Sequence, residues 1–109
     1  MIEFPPYRID ARSGRLWRGS RPVPLRPKAW ELLRYLVERP GALVTKDELH
    51  AAIWGDTVVS DDTLSRTLAE LRVALQDDAR SPRIIETVHR RGFRFSAAVQ
   101  SSRFKVQSS

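Results

Sequence analysis

The 109-residue sequence predicts an α+β fold, and three observations carry that prediction. Short runs of alternating polarity fill the first 26 residues, punctuated by glycines. Between Pro27 and Gln76, apolar residues recur at helical spacing. Between Arg83 and Phe95, β-branched and aromatic residues flank a glycine-containing tip. The length fits one domain, read here as residues 1–99, followed by a polar linker or tail over 100–109.

Tyr7–Asp10, Arg15–Arg18 and Pro22–Leu25 read as strands of a small antiparallel sheet, with turns at Ser13-Gly14 and Gly19-Ser20. Pro22 and Pro24 restrict the third run to an edge. A helix is expected from Pro27 to Arg39. Pro27 suits its first position, and Ala29, Trp30, Leu32, Leu33, Leu36 and Val37 form an apolar stripe about 160° wide. Pro40-Gly41 ends it, and Ala42–Val44 is a short extended connection. Thr45-Lys46-Asp47-Glu48 is a capping box opening a second helix that runs to Trp54, with Gly55 as its stop. A third helix runs from about Asp61 to Gln76. Ser60 is its N-cap, and Asp61 and Asp62 complement the positive end of its dipole. Leu64, Leu68, Leu71 and Leu75 fall within about 60° of arc and face the core. The opposite face reads Asp62, Ser65, Arg66, Ala69 and Val73. Arg83–Phe95 is a hairpin whose tip is His89-Arg90-Arg91-Gly92. Trp17 and Trp30 are expected in the core, and His50 on the surface of the second helix.

Composition narrows function. Lys and Arg number 19 against 13 Asp and Glu, a net charge of +6, and sixteen of the cations are arginines. Arginine's planar fork matches phosphate and guanine edges, so nucleic acid is the first partner to consider. Charge balances over residues 1–79. The excess lies after them, where seven cations meet only Glu86. With no cysteine and two unconnected histidines, there is no disulfide framework, thiolate zinc site or cysteine nucleophile. The pairs Asp61-Asp62 and Asp77-Asp78 are explained by helix-dipole complementation and turn formation. No catalytic residue, metal ligand, cofactor or small-molecule substrate is expected. No apolar run approaches the ~20 residues of a membrane span, and no signal-peptide pattern opens the chain, so the cytoplasm is the default location.

Two helices joined by a short connection, then a ribbon with a basic tip, make a winged helix-turn-helix arrangement. A helix fits the major groove of duplex DNA, and an extended basic loop reaches the adjacent minor groove. The sequence also resembles a known family across roughly residues 5–98. It is similar to the OmpR/PhoB-type DNA-binding domains of bacterial transcription regulators. Leu25–Leu33, Val44–Leu49, Ile53–Gly55, Leu71–Leu75 and Ile85–Phe95 carry the resemblance, in matching order and spacing. Val59-Ser60-Asp61-Asp62 and the stretch Asp77–Arg83 bring it closest to the one-component, ToxR/CadC-like branch.

The resemblance implies an N-terminal antiparallel sheet, three helices and a C-terminal wing, with sequence-specific binding of double-stranded DNA for transcription regulation. By position it places base reading on Arg66, Thr67, Ala69, Glu70 and Arg72. The helical wheel independently selects Ser65, Arg66 and Ala69 rather than Thr67. The resemblance puts phosphate contacts on Trp54, Thr63, Thr87 and Phe93, the last replacing a common tyrosine. Lys46 and Arg94 join this backbone set as cations. The wing's minor-groove position falls on His89, with Arg90 and Arg91 beside it. Arg66 has a second reading, a solvated pair with Glu70 one turn on. The family further implies head-to-tail pairing on direct repeats by a domain monomeric in isolation, and contact of loop 55–60 with RNA polymerase. It also implies a C-terminal sensor beyond the polar tail, sometimes across the inner membrane. Met1 leads directly into the first strand, so no receiver domain is expected before it. A winged-helix protein-interaction module is the alternative, and salt dependence discriminates: DNA affinity falls steeply with salt.

Overall fold

The structure, a computed structural model, describes residues 2–10, 12–78 and 80–101. They form two compact units. One comprises the first 24 residues with the stretch from Ala98, and the other is Leu25–Ala97.

The first unit is one antiparallel sheet in the order β4 (Arg21–Val23), β3 (Arg15–Arg18), β2 (Tyr7–Asp10), β1 (Ile2–Phe4), β8 (Gln100–Ser101). β2 and β3 match the expected runs, while the short edge strand β4 starts one residue earlier than the expected Pro22–Leu25 and ends two residues sooner, before Pro24. Gly14 and Gly19 adopt the positive φ that their turns require. Two strands were not expected: β1 (Ile2–Phe4) and β8 (Gln100–Ser101). β8 pairs Ser101 with Ile2 and Gln100 with Glu3, so these two residues belong to the sheet and not to a tail. The remainder of that tail, with Arg103 and Lys105, lies outside the described residues. Trp17 is half-buried, not core. It alternates with buried Leu16 and stands opposite Arg8, whose guanidinium lies 5.7 Å from its ring.

The second unit builds the helices on a three-stranded sheet of order β5 (Leu43–Thr45), β7 (Gly92–Phe95), β6 (Ile85–Val88). Helix α1 (Pro27–Val37) begins at the expected proline and buries Ala29, Leu32, Leu33, Leu36 and Val37. Trp30 sits at the stripe's margin and is half-buried, a second departure from the expected core. The helix stops two residues short of Arg39, since Pro40 disfavours helical backbone at the residue before it. Arg39 instead donates to the Tyr35 carbonyl at 2.9 Å and lies 3.6 Å over the Tyr35 ring, satisfying one of the helix's unpaired carbonyls.

β5 (Leu43–Thr45) leads into α2 (Lys46–Leu49), which continues as a π-helical stretch, His50–Trp54. Thr45 accepts from the Glu48 amide at 3.1 Å, as the capping box requires. The reciprocal half is replaced: the Glu48 carboxylate accepts from the Tyr35 hydroxyl. That bond holds the phenol's pKa above its ordinary value, with burial adding to the effect and the Arg39 charge opposing it. Lys28 donates its Nζ to the Ile53 carbonyl at 2.8 Å and so ties α1 to the π-turn.

α3 (Asp61–Leu75) has Ser60 as its N-cap, accepting from the Thr63 amide, and Gln76 in left-handed conformation as its C-cap. Leu64, Leu68, Leu71 and Leu75 are buried, and α3 packs on α1. Each leucine of such a stripe contributes about 1.5–3 kcal/mol of burial free energy, which outweighs the helix's modest propensity. β6 (Ile85–Val88) and β7 (Gly92–Phe95) form the hairpin, with Thr87 opposite Phe93 and Glu86 opposite Arg94. β5 pairs along the other edge of β7. Gly92 makes this possible. A Cβ there would sit 2.0 Å from the Val44 carbonyl oxygen, so no other residue allows the two backbones to approach.

Candidate nucleic-acid interface

The leucine stripe fixes which side of α3 looks outward. Asp62, Ser65, Arg66, Ala69, Glu70 and Val73 are all exposed. Arg66 pairs through its Nε with Asp62 Oδ2 at 3.1 Å, one turn back. Its expected partner Glu70 is instead 3.8 Å from Arg26. An acid one turn N-terminal to a cation is the better i,i+4 orientation, which favours Asp62 over Glu70 as the partner of Arg66. Both pairs are highly exposed, so each restrains a side chain weakly.

Two of the expected base-reading residues do not belong to this face. Thr67 is buried, and its hydroxyl donates to the Thr63 carbonyl at 2.9 Å. This agrees with the helical wheel and not with the positional carry-over. Arg72 is half-buried and turned toward the wing. Its Nη2 donates to the Ile85 carbonyl at 2.9 Å and to Thr87 Oγ1 at 2.8 Å. Burial lowers the guanidinium's pKa, and the nearby Asp77 charge opposes that shift. Since β6 is the outer strand of its sheet, Arg72 covers an edge carbonyl that would otherwise lack a partner.

Asp77 completes the attachment, and sequence reasoning missed it. Its Oδ1 accepts from the amides of Arg83 at 2.8 Å and Ile84 at 3.3 Å, and its Oδ2 accepts from the Ile85 amide at 2.9 Å. Arg72 and Asp77 therefore both hold the outer edge of β6 at its start, one through the Ile85 carbonyl and the other through the Ile85 amide. An acidic residue just past a helix and a few residues before a strand is the only sequence signal, and turns use the same residue.

The wing divides by face. Ile85, Thr87, Phe93 and Phe95 alternate onto the side where Arg72 reaches it, and Glu86 and Arg94 onto the other. Phe93 is buried, so its aromatic ring is core and not a phosphate contact. Arg94, expected on the DNA backbone, pairs with Glu86 across the strands at 3.4 Å, on the side away from α3. The Thr87 side chain is exposed, with its oxygen accepting from Arg72. At the tip His89, Arg90 and Arg91 are exposed. The turn is closed by the Arg91 amide donating to the Val88 carbonyl at 2.9 Å, and Arg90 takes the positive φ of 61° that the tip requires. Among the described residues, no carboxylate lies within ion-pair distance of Arg90 or Arg91.

Between the helices, Lys46 is half-buried at the start of α2, Thr63 at the first turn of α3, and Trp54 at the end of the π-turn. His50 is half-buried, not a free surface residue. Its Nε2 lies 3.0 Å from Asp61 Oδ1 and its ring 5.8 Å from the Trp54 ring. Loop 55–60 leaves Val58 96% exposed. Among the described residues no group of His, Asp or Glu is placed to hold a metal ion, and no helix is long and apolar enough to cross a membrane.

Comparison with known proteins bears on this arrangement. Residues 20–95 match the family described as "Transcriptional regulatory protein, C terminal". The chain is 36% identical over 86 residues to the transcriptional regulator HilA of Salmonella typhimurium, a stretch that is 79% of this chain and 15% of HilA. It is similar in structure to the Klebsiella pneumoniae RstA DNA-binding domain, solved in complex with the RstA box. The TM-score is 0.79 at 26% identity, covering 86% of this chain and 94% of that one. It is likewise similar to the DNA-binding domain of E. coli CadC, with a TM-score of 0.79 at 25% identity, over 91% of this chain and 94% of that one. The chain thus spans nearly all of each solved domain and a small part of HilA.

Proposed function

This chain belongs to the family of transcriptional regulatory protein C-terminal domains, the OmpR/PhoB type, and from that premise we propose that it binds double-stranded DNA in a sequence-specific manner to regulate transcription. α3 enters the major groove and presents Ser65, Arg66, Ala69 and Glu70 to base edges. Arg66 is the donor suited to guanine. Glu70 accepts from cytosine N4 once it leaves Arg26. The wing tip lies at the adjacent minor groove, where Arg90 or Arg91 takes the inserted role beside His89. Lys46, Trp54, Thr63 and the exposed side of Thr87 face the phosphates. Thr67, Arg72, Phe93 and Arg94 are left to the frame.

The observation that carries this reading is the attachment of helix to wing. Arg72 and Asp77 hold β6 against the end of α3, so two elements that must reach neighbouring grooves move as one. The experiment is selection of duplexes from a randomised pool, then footprinting and titration over salt. The expected result is an enriched site, protected in a major groove and its flanking minor groove, with affinity falling by about 0.9 log unit per log unit of salt for each phosphate neutralised. A chain that enriches no sequence, or whose binding ignores salt, does not have this function.

The wider context follows from the same family. Val58 and Val59 on loop 55–60 offer an apolar contact for RNA polymerase. The domain is monomeric alone and pairs head-to-tail on direct repeats. It works at the nucleoid as the DNA-binding part of a longer regulator whose sensor lies beyond the C-terminal linker, and which is held at the inner membrane where that sensor crosses it. Footprints at two direct half-sites, and loss of activation without loss of binding on Val58→Asp, are the expected outcomes.

A further inference from the structure

We infer that Ala69 and Val73 form an apolar reader on the C-terminal half of α3, selecting thymine by its C5-methyl group. The inference rests on α3 being the groove-entering element, and it assigns a base to a part of the helix that carries no free donor. With Thr67 turned in and Arg72 tied to the wing, the exposed residues of this half are Ala69, Glu70 and Val73. Val73 is 78% exposed and, with Val58, is one of two large apolar side chains left in solvent among the described residues.

Neither folding nor packing accounts for a valine there. Its β-branch lowers helix propensity below that of the alanine or lysine an ordinary solvated face carries. Its side chain points away from the leucine stripe and adds nothing to the core. Ala69 and Val73 are one turn apart on the same face, so their methyl groups make a continuous apolar strip. In a major groove the apolar feature displayed by a base edge is the thymine methyl, and alanine-sized and branched methyl groups are what meet it. At 1.5 Å per residue, Val73 lies about 6 Å beyond Ala69 and about 10 Å beyond Arg66. At 3.4 Å per base pair, these are about two and three steps along the duplex. The readout of α3 is thereby polar at Arg66 and apolar at Val73, with the thymine displaced from the guanine that Arg66 selects.

The test uses the whole chain and the duplex it selects. Each thymine of that site is replaced in turn by deoxyuridine, which keeps base pairing and removes only the methyl group. Affinity is read by fluorescence anisotropy for the native chain and for Val73→Ala, an exposed substitution that favours the helix and so leaves the fold intact. The expected result is about a fourfold loss at one or two thymines, the free energy of one buried methyl, roughly three steps from the guanine preference that Arg66→Ala removes. For Val73→Ala the thymine-to-deoxyuridine ratio at one of these positions falls below about twofold. Uniform tolerance of deoxyuridine by the native chain, or full discrimination retained in Val73→Ala, overturns the inference while leaving DNA binding standing. A chain that selects no duplex overturns the DNA reading itself and this inference with it.

Discussion

Arg66 on α3 and the Arg90-Arg91 pair on the wing are all exposed, yet they stand in different electrical settings. Arg66 lies 3.1 Å from Asp62, with Asp61 and Glu70 on the same helix and Arg26 answering Glu70. The face is close to neutral. The wing tip has no such counter-charges among the described residues, and Glu86 is committed to Arg94 on the far side of the ribbon. A cation already paired in the free protein exchanges one partner for another on binding, so it adds little raw affinity and much geometric selection. A cation without a partner releases condensed counterions from any duplex it meets, whatever the sequence. On the proposed function, the contrast separates what chooses a site from what holds the protein on it.

The largest expected effect breaks the frame common to both regions. Gly92→Ala puts a Cβ 2.0 Å from the Val44 carbonyl oxygen and forces β7 from β5, at a cost of about 3 kcal/mol or more by chemical denaturation. Arg72→Met comes next. It removes two charge-assisted hydrogen bonds and leaves the Ile85 carbonyl unpartnered, destabilising the fold by about 1.5–3 kcal/mol. A double-mutant cycle with the wing arginines should then show coupling in DNA binding, whereas independent effects would mean that helix and wing act separately. Arg66→Ala leaves stability nearly unchanged and costs about 1–3 kcal/mol at the preferred site, with a changed base preference in randomised-site selection. The smallest effect is Glu86→Gln. It releases Arg94 from a half-exposed pair and shifts stability by less than about 1 kcal/mol. Unchanged DNA affinity in this variant is what a position on the far face of the wing requires.

Much of the frame was legible because its causes are local. The leucine stripe and the caps at Ser60 and Thr45 depend on residues three or four positions apart, and they stand where the spacing puts them. The wing's alternation likewise predicts which side of β6 and β7 is core. β1 and β8 were not legible, since strands of three and two residues pair across nearly the whole chain and carry too few side chains to show a period. The π-turn over His50–Trp54 was hidden for a related reason: the apolar pattern of Leu49, Ala52 and Ile53 suits an α-helix as well.

Site residues divided in the same way. Ser65, Arg66 and Ala69 follow from the angular position of the leucines alone, and the structure leaves them exposed. Arg72 lies on the flank of that face, where a long side chain reaches either solvent or a neighbouring strand. Only the carbonyl of Ile85, thirteen residues away, decides between them. Phe93 and Arg94 were placed by resemblance and charge, while the sheet's alternation sends one into the core and the other to the far face. The net charge of +6 concealed a further division. Of the cations after residue 79, those at the wing tip have no counter-charge among the described residues, whereas Arg94 pairs with Glu86.

On the proposed function, α3 chooses the site and the wing supplies sequence-independent hold. The most direct test of this division is a salt titration of the native chain, Arg66→Ala and the double variant Arg90→Ala/Arg91→Ala on the selected duplex and on a scrambled one. The double variant is predicted to weaken binding to both duplexes alike and to flatten the salt slope by about 1–2, for the two cations removed from the backbone and the minor groove. Arg66→Ala is predicted to lose most of the difference between the duplexes, keeping the part read by Glu70, Ala69 and Val73, while its slope changes by less than about 1. A wing variant that abolishes discrimination at an unchanged slope, or an Arg66→Ala chain that keeps full discrimination, would contradict it.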